Sequence, residues 1–366
     1  MKRVLIIGGY GNFGGFIAKV LARESNIQVI IAGRSLEKAQ GFAGDIAAVN
    51  KVECAQLDIT SDITGALAEI KPDIVIHTSG PFQAQGYDVA QACIVQGAHY
   101  IDLADGRDFV DGITALNTQA AEAGVLVISG ASSVPCLTAA LVDYYKDEFE
   151  TLDTLDYGIT TAQKTARGLA TTAAILGYTG QKFKTLVDGQ QSDIYGWQNL
   201  RVRKFQGLGW RLLGNCDVPD LSLFPRRYPD LKTIRFYAGL EIPFIHITLW
   251  MLSWLVRIGL IKNLQKTAPL LLKVSYLFDW LGTDRSAFYM ALSGQGKDGA
   301  DKVVTFVLTA RSGDGPYIPV MPAILIAKKI VNGSEHGIGA HPCVGFIRRD
   351  EYLGALNDLD IHWTEE

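Results

Sequence analysis

Residues Val4–Gly15, VLIIGGYGNFGG, decide the fold. Val4 to Ile7 are branched or long apolar side chains, the pattern of a parallel strand buried on both faces. Gly9, Gly11 and Gly14 then fit G-x-G-x-x-G, and Gly8 offers a second register. In such a ladder the first glycine makes the tight turn and the second leaves room for a pyrophosphate. The third lets the following helix pack close to the strand. That helix is predicted from Phe13 to Arg23, with Phe16, Ile17, Val20 and Leu21 on one side. Its free N–H groups, beginning at Asn12 and Phe13, would face the phosphates.

The second apolar strand, Gln28 to Ala32, ends in Gly33-Arg34-Ser35. The position after strand two normally faces the adenosine ribose, where an acidic residue holds the free 2′-hydroxyl of NAD. Arg34 stands there instead. Its guanidinium fork suits a 2′-phosphate and offers nothing to a free diol, so the pattern points to NADP(H). Ser35 could cap the next helix and donate to the same phosphate.

The first 130 residues go on alternating. Strands are predicted at 3–8, 27–32, 51–56, 73–77, 99–102 and 125–129, with helices at 13–24, 36–44, 62–70, 84–96 and 111–123. This is an α/β pattern with a Rossmann-type parallel sheet and its ligand at the carboxyl ends of the strands. Asp58, after the third strand, could accept from the adenine amino group or serve a turn. Ser79, Gly80, Pro81 and Phe82 follow the fourth strand, where the chain should pass the nicotinamide. The stretch HYIDLADGRDF at 99–109 crowds Tyr100, Asp102 and Asp105 at a strand end. Those three are the candidates for moving a proton. The carboxylates lack a matched histidine set, so no metal site is expected.

A chain of 366 residues exceeds one average domain, and an apolar fraction of 48% supports a large core. A formal charge of −4 and the absence of a basic stripe give no reason to expect nucleic acid. The five scattered cysteines form no C-x-x-C pair, and a reducing cytoplasm is the simplest home. Phe244 to Ile261, FIHITLWMLSWLVRIGLI, is nearly long enough to cross a bilayer. His246 and Arg257 interrupt it. It reads as a buried helix, a dimer face or a peripheral membrane contact.

These segments together resemble the saccharopine dehydrogenase/reductase-like family of NADP-binding proteins. The resemblance rests on VLIIGGYGNFGG, on AGRS at 32–35, on SGPFQAQGYDVAQACIVQGAHYIDLADG at 79–106 and on ASSVPCLTAALVD at 131–143. It covers residues 1–145 best and returns in GPYIPVMPAILIAKKIVNG at 315–333 and in GAHPCVGF. It implies a Rossmann domain joined to a second α/β domain built on a mostly antiparallel sheet. The boundaries expected are 1–135 for the NADP-binding domain, with 315–366 packing back on it, and 136–314 for a substrate and dimerisation domain. It also implies that Gly9, Gly11 and Gly14 hold pyrophosphate, that Arg34 and Ser35 hold the 2′-phosphate, and that Ser79 to Phe82 border the nicotinamide. The activity implied is hydride transfer to or from an imine or carbonyl carbon of a small-molecule substrate. The homodimer expected rests on the adjacent apolar helices of the second half, which would bury each other or pack across a twofold axis. A non-enzymatic NADP(H)-binding or redox-sensing protein and a membrane-surface, lipid-associated protein are the alternatives. Six arginines of the second half, Arg167, Arg201, Arg203, Arg211, Arg226 and Arg227, are available for substrate carboxylates, but none lies in a family motif.

Overall fold

The structure is a computed structural model and describes residues 1–335 and 337–366. The chain divides into two units, one of residues 1–140 and 317–355, the other of residues 141–316 and 356–366.

The first unit alternates strand and helix as its apolar pattern requires. In order come β1 (Lys2–Ile7), α1 (Asn12–Leu21), β2 (Ile27–Gly33), α2 (Leu36–Gly44), β3 (Glu53–Gln56), α3 (Ile63–Ile70), β4 (Ile74–His77), α4 (Asp88–Val95), β5 (His99–Asp102), α5 (Arg107–Gly112), α6 (Asn117–Glu122) and β6 (Leu126–Ser129). Val4, Leu5 and Ile6 have no exposed surface, because the strand is covered on both faces. Leu5, Ile30, Val75, Tyr100 and Val127 of successive strands share one core with Val89 and Ile94 of α4 and Ile113. All neighbouring pairs in this sheet are parallel. The order β6-β5-β4-β1-β2-β3 reverses direction between β1 and β4. In doubly wound sheets that reversal opens the crevice that takes the ligand. The helix predicted over 111–123 is two short helices, α5 and α6, joined by a 3₁₀ turn at Ile113–Leu116.

From α7 (Thr138–Tyr145) the chain enters the second unit. There it forms β7 (Phe149–Thr160), α8 (Leu169–Tyr178), β8 (Lys182–Val187), β9 (Gln190–Tyr195), β10 (Arg201–Phe205), β11 (Gly209–Asn215), α9 (Asp220–Arg227), β12 (Thr233–Gly239), α10 (Pro243–Arg257), α11 (Ala268–Tyr276), β13 (Ser286–Gly296) and β14 (Asp301–Ala310). Ser286 to Gln295 pair antiparallel with Ala310 to Asp301, as the β-branched run at 303–310 leads one to expect. The second sheet is mixed: β12 runs parallel to β7, and the other pairs are antiparallel. Asp188 and Gly189 turn the β8–β9 hairpin with φ of 49° and 77°, the signature of the Asp-Gly turn.

The chain returns to the first unit as α12 (Met321–Val331), β15 (Gly339–Pro342) and α13 (Arg349–Gly354). Pro322 stands in the first turn of α12, where its missing N–H costs nothing. β15 adds a seventh parallel strand beside β6, and the Asn117 side chain accepts from Ala340 N–H at 3.0 Å. Its four residues, GAHP, carry no strand signal, and the sequence reading has none there. One boundary differs from expectation. The whole of 315–366 was expected on the first domain, but β16 (Ile361–Glu365) pairs with β14 and closes the second sheet. An edge strand is chosen by the free ladder of its neighbour, which local sequence does not encode.

Candidate functional site

The glycine ladder folds as a turn followed by an uncapped helix. Gly8 is the residue in the left-handed region, with φ of +80°, and it is the second register of the ladder that supplies the turn. Gly11 is the N-cap of α1, and no side chain caps that end. The first bond inside the helix runs from Gly15 N–H to Gly11 O, so the N–H groups of residues 12 to 14 point out of the helix start. The first turn carries no acidic residue, which leaves the positive end of the helix dipole available to an anion.

Two glycines in this turn do different work. A Cβ on Gly14 would lie 2.3 Å from the Gly8 carbonyl oxygen, so helix and turn touch through bare backbone. A Cβ on Gly11 would meet only that same oxygen, at 3.2 Å, and Gly11 is exposed. Gly14 therefore secures packing, and Gly11 keeps the approach open. We expect Gly14→Ala to lower stability by about 1–3 kcal/mol through overpacking. Gly11→Ala should leave the melting temperature nearly unchanged and weaken NADPH binding. Thermal melts and calorimetry of both variants check this pair, and a stable Gly14→Ala protein with full affinity would contradict it.

The loop after β4 lies against this turn. Thr78 donates to Ile7 O through its backbone N–H at 3.0 Å and its hydroxyl at 2.8 Å. A Cβ on Gly8 would come within 2.7 Å of both Thr78 Oγ1 and Ser79 Oγ. Gln85 Nε2 donates to the carbonyls of Ser79 and Pro81 and so holds the loop in shape. Phe82 turns inward: its ring packs edge-on to His77 and tilted to Phe109, and 5% of its surface remains exposed. Ser79, Gly80 and Pro81 keep partial exposure.

At the end of β2, Arg34 is exposed and in no ion pair among the described residues. Gln56 Nε2 donates to its carbonyl at 3.1 Å. Ser35 is the N-cap of α2, its hydroxyl accepting from Lys38 N–H at 3.3 Å. Asp58 serves a turn: its carboxylate accepts from both the N–H and the hydroxyl of Thr60. Those bonds, with the charge of Arg34 adding to them, hold its carboxyl below the usual range. Tyr10 was missed by the sequence reading. Its phenol oxygen accepts from Ser35 N–H at 3.2 Å, and its ring covers Gly33 so closely that a Cβ there would lie 2.5 Å away. The signal available was an aromatic residue between the first glycines of the ladder, opposite a glycine that ends strand two.

The three proton-transfer candidates separate in depth. Tyr100 and Asp102 are buried at 1% and 0% exposure. Asp102 Oδ1 accepts from Ala104 N–H at 2.9 Å, Gly130 N–H at 2.8 Å and Ser129 Oγ at 3.0 Å, tying the ends of β5 and β6 together. Burial outweighs those bonds and raises its carboxyl to about 6. The Tyr100 phenol lies between Asp102 and His77, 3.1 Å from His77 Nδ1. Burial, and then the charge of Asp102, push that phenol well above its ordinary range. Burial likewise drives the His77 imidazole down to about 4, so it is neutral at pH 7. Asp105 is exposed, and Gln83 Nε2 donates to its Oδ1 at 3.0 Å. That bond joins the 79–85 loop to the segment after β5, two stretches that sequence reading marked separately.

The arginines of the second unit are largely engaged. Arg167 pairs with Asp279, Arg201 with Asp156, Arg211 with Glu241 and Arg227 with Asp143. The Arg203 guanidinium lies 3.8 Å from the centroid of the Tyr289 ring. None of the five cysteines is in a disulfide.

A parallel sheet with a switch point, an open glycine turn and an arginine after the second strand define a dinucleotide-binding Rossmann domain. Residues 4–128 match the family model described as the saccharopine dehydrogenase NADP binding domain. A human saccharopine dehydrogenase-like oxidoreductase is 28% identical over 267 residues, which cover 66% of this chain and 56% of that protein. The chain thus spans about half the length of this curated relative. Apo saccharopine dehydrogenase (L-Glu forming) from Saccharomyces cerevisiae superimposes with a TM-score of 0.70 over 100% of both chains, at 14% identity. At that identity the likeness is one of fold.

Proposed function

We propose that the protein is an NADP(H)-dependent oxidoreductase that transfers a hydride to or from an imine or carbonyl carbon of a small molecule. The observation that carries this reading is the glycine turn. It ends in an uncapped helix, stays open at Gly11 and lies against the 79–82 loop at the switch point of the sheet. When bound, NADPH supplies the hydride at nicotinamide C4. The chain supplies position and a proton. Residues 11 to 14 receive the pyrophosphate on backbone N–H groups, and Arg34 with Ser35 receives the 2′-phosphate. Ser79, Gly80 and Pro81 border the nicotinamide end, with Phe82 supporting them from below. Asp105 is the carboxylate placed to exchange a proton with a substrate. Tyr100 and Asp102 hold the strand ends beneath it.

The test is NADPH oxidation against a panel of imino and keto acids, with and without added amines. Turnover on one class is expected. Asp105→Asn should then lower kcat by roughly 10²-fold or more while NADPH affinity stays constant. Silence across the whole panel, in a protein that binds NADPH, would instead favour a binding or sensing role.

A further inference from the structure

Helix α10 is built inside out. Its buried side holds His246, Leu249, Ser253 and Val256, so two polar residues point inward. Ser253 Oγ donates to Trp250 O, and His246 Nδ1 accepts from Leu240 N–H. Burial brings the His246 imidazole down to about 4, which keeps it uncharged. The exposed side carries Phe244, Met251, Trp254, Leu255 and Ile258, at the spacing of one helical stripe. Gly259, with φ of +82°, ends the helix, and Leu260 follows at 73% exposure.

The next helix repeats the pattern. Leu270, Val274 and Leu277 face outward from α11 and its end, with Trp280 and Leu281 just beyond. Leu277 is 69% exposed and Trp280 76%. The two stripes meet where the Phe244 and Phe278 rings pack edge to face, 5.0 Å between centroids. Single exposed apolar side chains are ordinary; a run on two successive helices marks a covered surface.

Charge decides what covers it. Lys262, Lys266 and Lys273 are exposed along the same stretch and form no ion pair among the described residues. Arg257 is spent on Gln198 and on the Tyr195 and Trp254 rings. The only carboxylate between residues 243 and 281 is Asp279, which pairs with Arg167. The stretch is cationic in a chain whose formal charge is −4. A second copy packed about a twofold axis would set these lysines against one another. A bilayer surface bearing anionic headgroups satisfies both halves of the face, because aromatic rings favour the headgroup level and lysines favour the phosphates. Among the described residues no helix is long and apolar enough to cross a membrane, so the contact lies in the plane of the surface.

We propose that the α10–α11 face seats the protein on an anionic bilayer. Trp254, Leu260, Leu277 and Trp280 enter the headgroup boundary, and Lys262, Lys266 and Lys273 contact lipid phosphates. The test is flotation of the full chain with phosphatidylcholine vesicles, with and without phosphatidylglycerol. The protein should float with the anionic vesicles, less so at high salt, with a blue shift of tryptophan fluorescence. The double variant Leu277→Asp/Trp280→Asp should stay at the bottom. The triple variant Lys262→Gln/Lys266→Gln/Lys273→Gln should lose partitioning on the order of a hundredfold. Unchanged circular dichroism and thermal melts of the full chain confirm that both variants fold. No flotation of the unaltered protein overturns the proposal, as does equal flotation of all three proteins. So does a solution dimer that Leu277→Asp/Trp280→Asp converts to monomer, since the face would then belong to a second copy.

Discussion

Replacing Arg34 by aspartate should cost the protein its affinity for NADPH about tenfold to a hundredfold and leave its affinity for NADH little changed or slightly improved. A charge-assisted hydrogen bond to a phosphate contributes about 1.5–3 kcal/mol. Arg34 can deliver that because it is exposed at the carboxyl end of β2, with its backbone fixed by Gln56 and its neighbour Ser35 fixed as the cap of α2. Asp58, the carboxylate whose charge Arg34 meets, is bonded to Thr60 and forms no ion pair with Arg34 among the described residues. Aspartate at the same place would repel a 2′-phosphate and accept from a free 2′-hydroxyl. Calorimetric titration of both proteins with both cofactors measures the ratio. Equal losses for NADPH and NADH would remove Arg34 from the phosphate site and leave the glycine turn as the only anchor.

The second large effect concerns Asp102 and is read as stability against pH. Its folded pKa, raised to about 6 by burial, exceeds the unfolded value near 3.9. Below about pH 4 the carboxyl is protonated in both states and costs nothing. Between pH 4 and 6 the unfolded chain releases the proton first, so stability falls as pH rises. Above pH 6 the penalty levels off at about 3 kcal/mol. His77 acts in the opposite sense: its folded value of about 4 lies below that of a free imidazole, so its contribution is present above pH 6.5 and is lost on acidification. Asp102→Asn isolates the carboxylate, since the amide oxygen can accept from Ala104, Gly130 and Ser129 as before. Urea unfolding at pH 4 and pH 7 should show the variant gaining about 3 kcal/mol relative to the parent across that interval. Parallel stability curves would mean that the carboxylate is solvated when it ionises.

Much of the first unit is written locally. A strand such as Val4–Ile7 is apolar at every position because both its faces are covered, and that requirement is visible without knowing the neighbours. Ser35 reads as a cap and is one. Arg34 reads as the residue after strand two and is placed there. Other features were hidden for definite reasons. The sequence marks Tyr100, Asp102 and Asp105 as one polar cluster, but depth depends on which loops cover a strand end, and only Asp105 is exposed. Tyr10 covers Gly33 across 23 residues of chain, a contact no spacing rule describes. The apolar run 244–261 gives the same periodicity whether its greasy side faces in or out.

The sequence by itself determined the parallel nucleotide-binding sheet, its glycine turn and the place of an arginine directly after the second strand. These depend on side-chain period, on residues that need bare backbone, and on one charge at a fixed strand end, all of them short-range properties. Only the tertiary structure decided that β15 and β16 join different sheets, that Asp102 is a buried brace while Asp105 is exposed, and that α10 turns its histidine and serine inward. Those outcomes depend on which free ladder or covered face a segment meets after the chain has folded back. That partner lies tens to hundreds of residues away, so the energy that selects it appears in no local window.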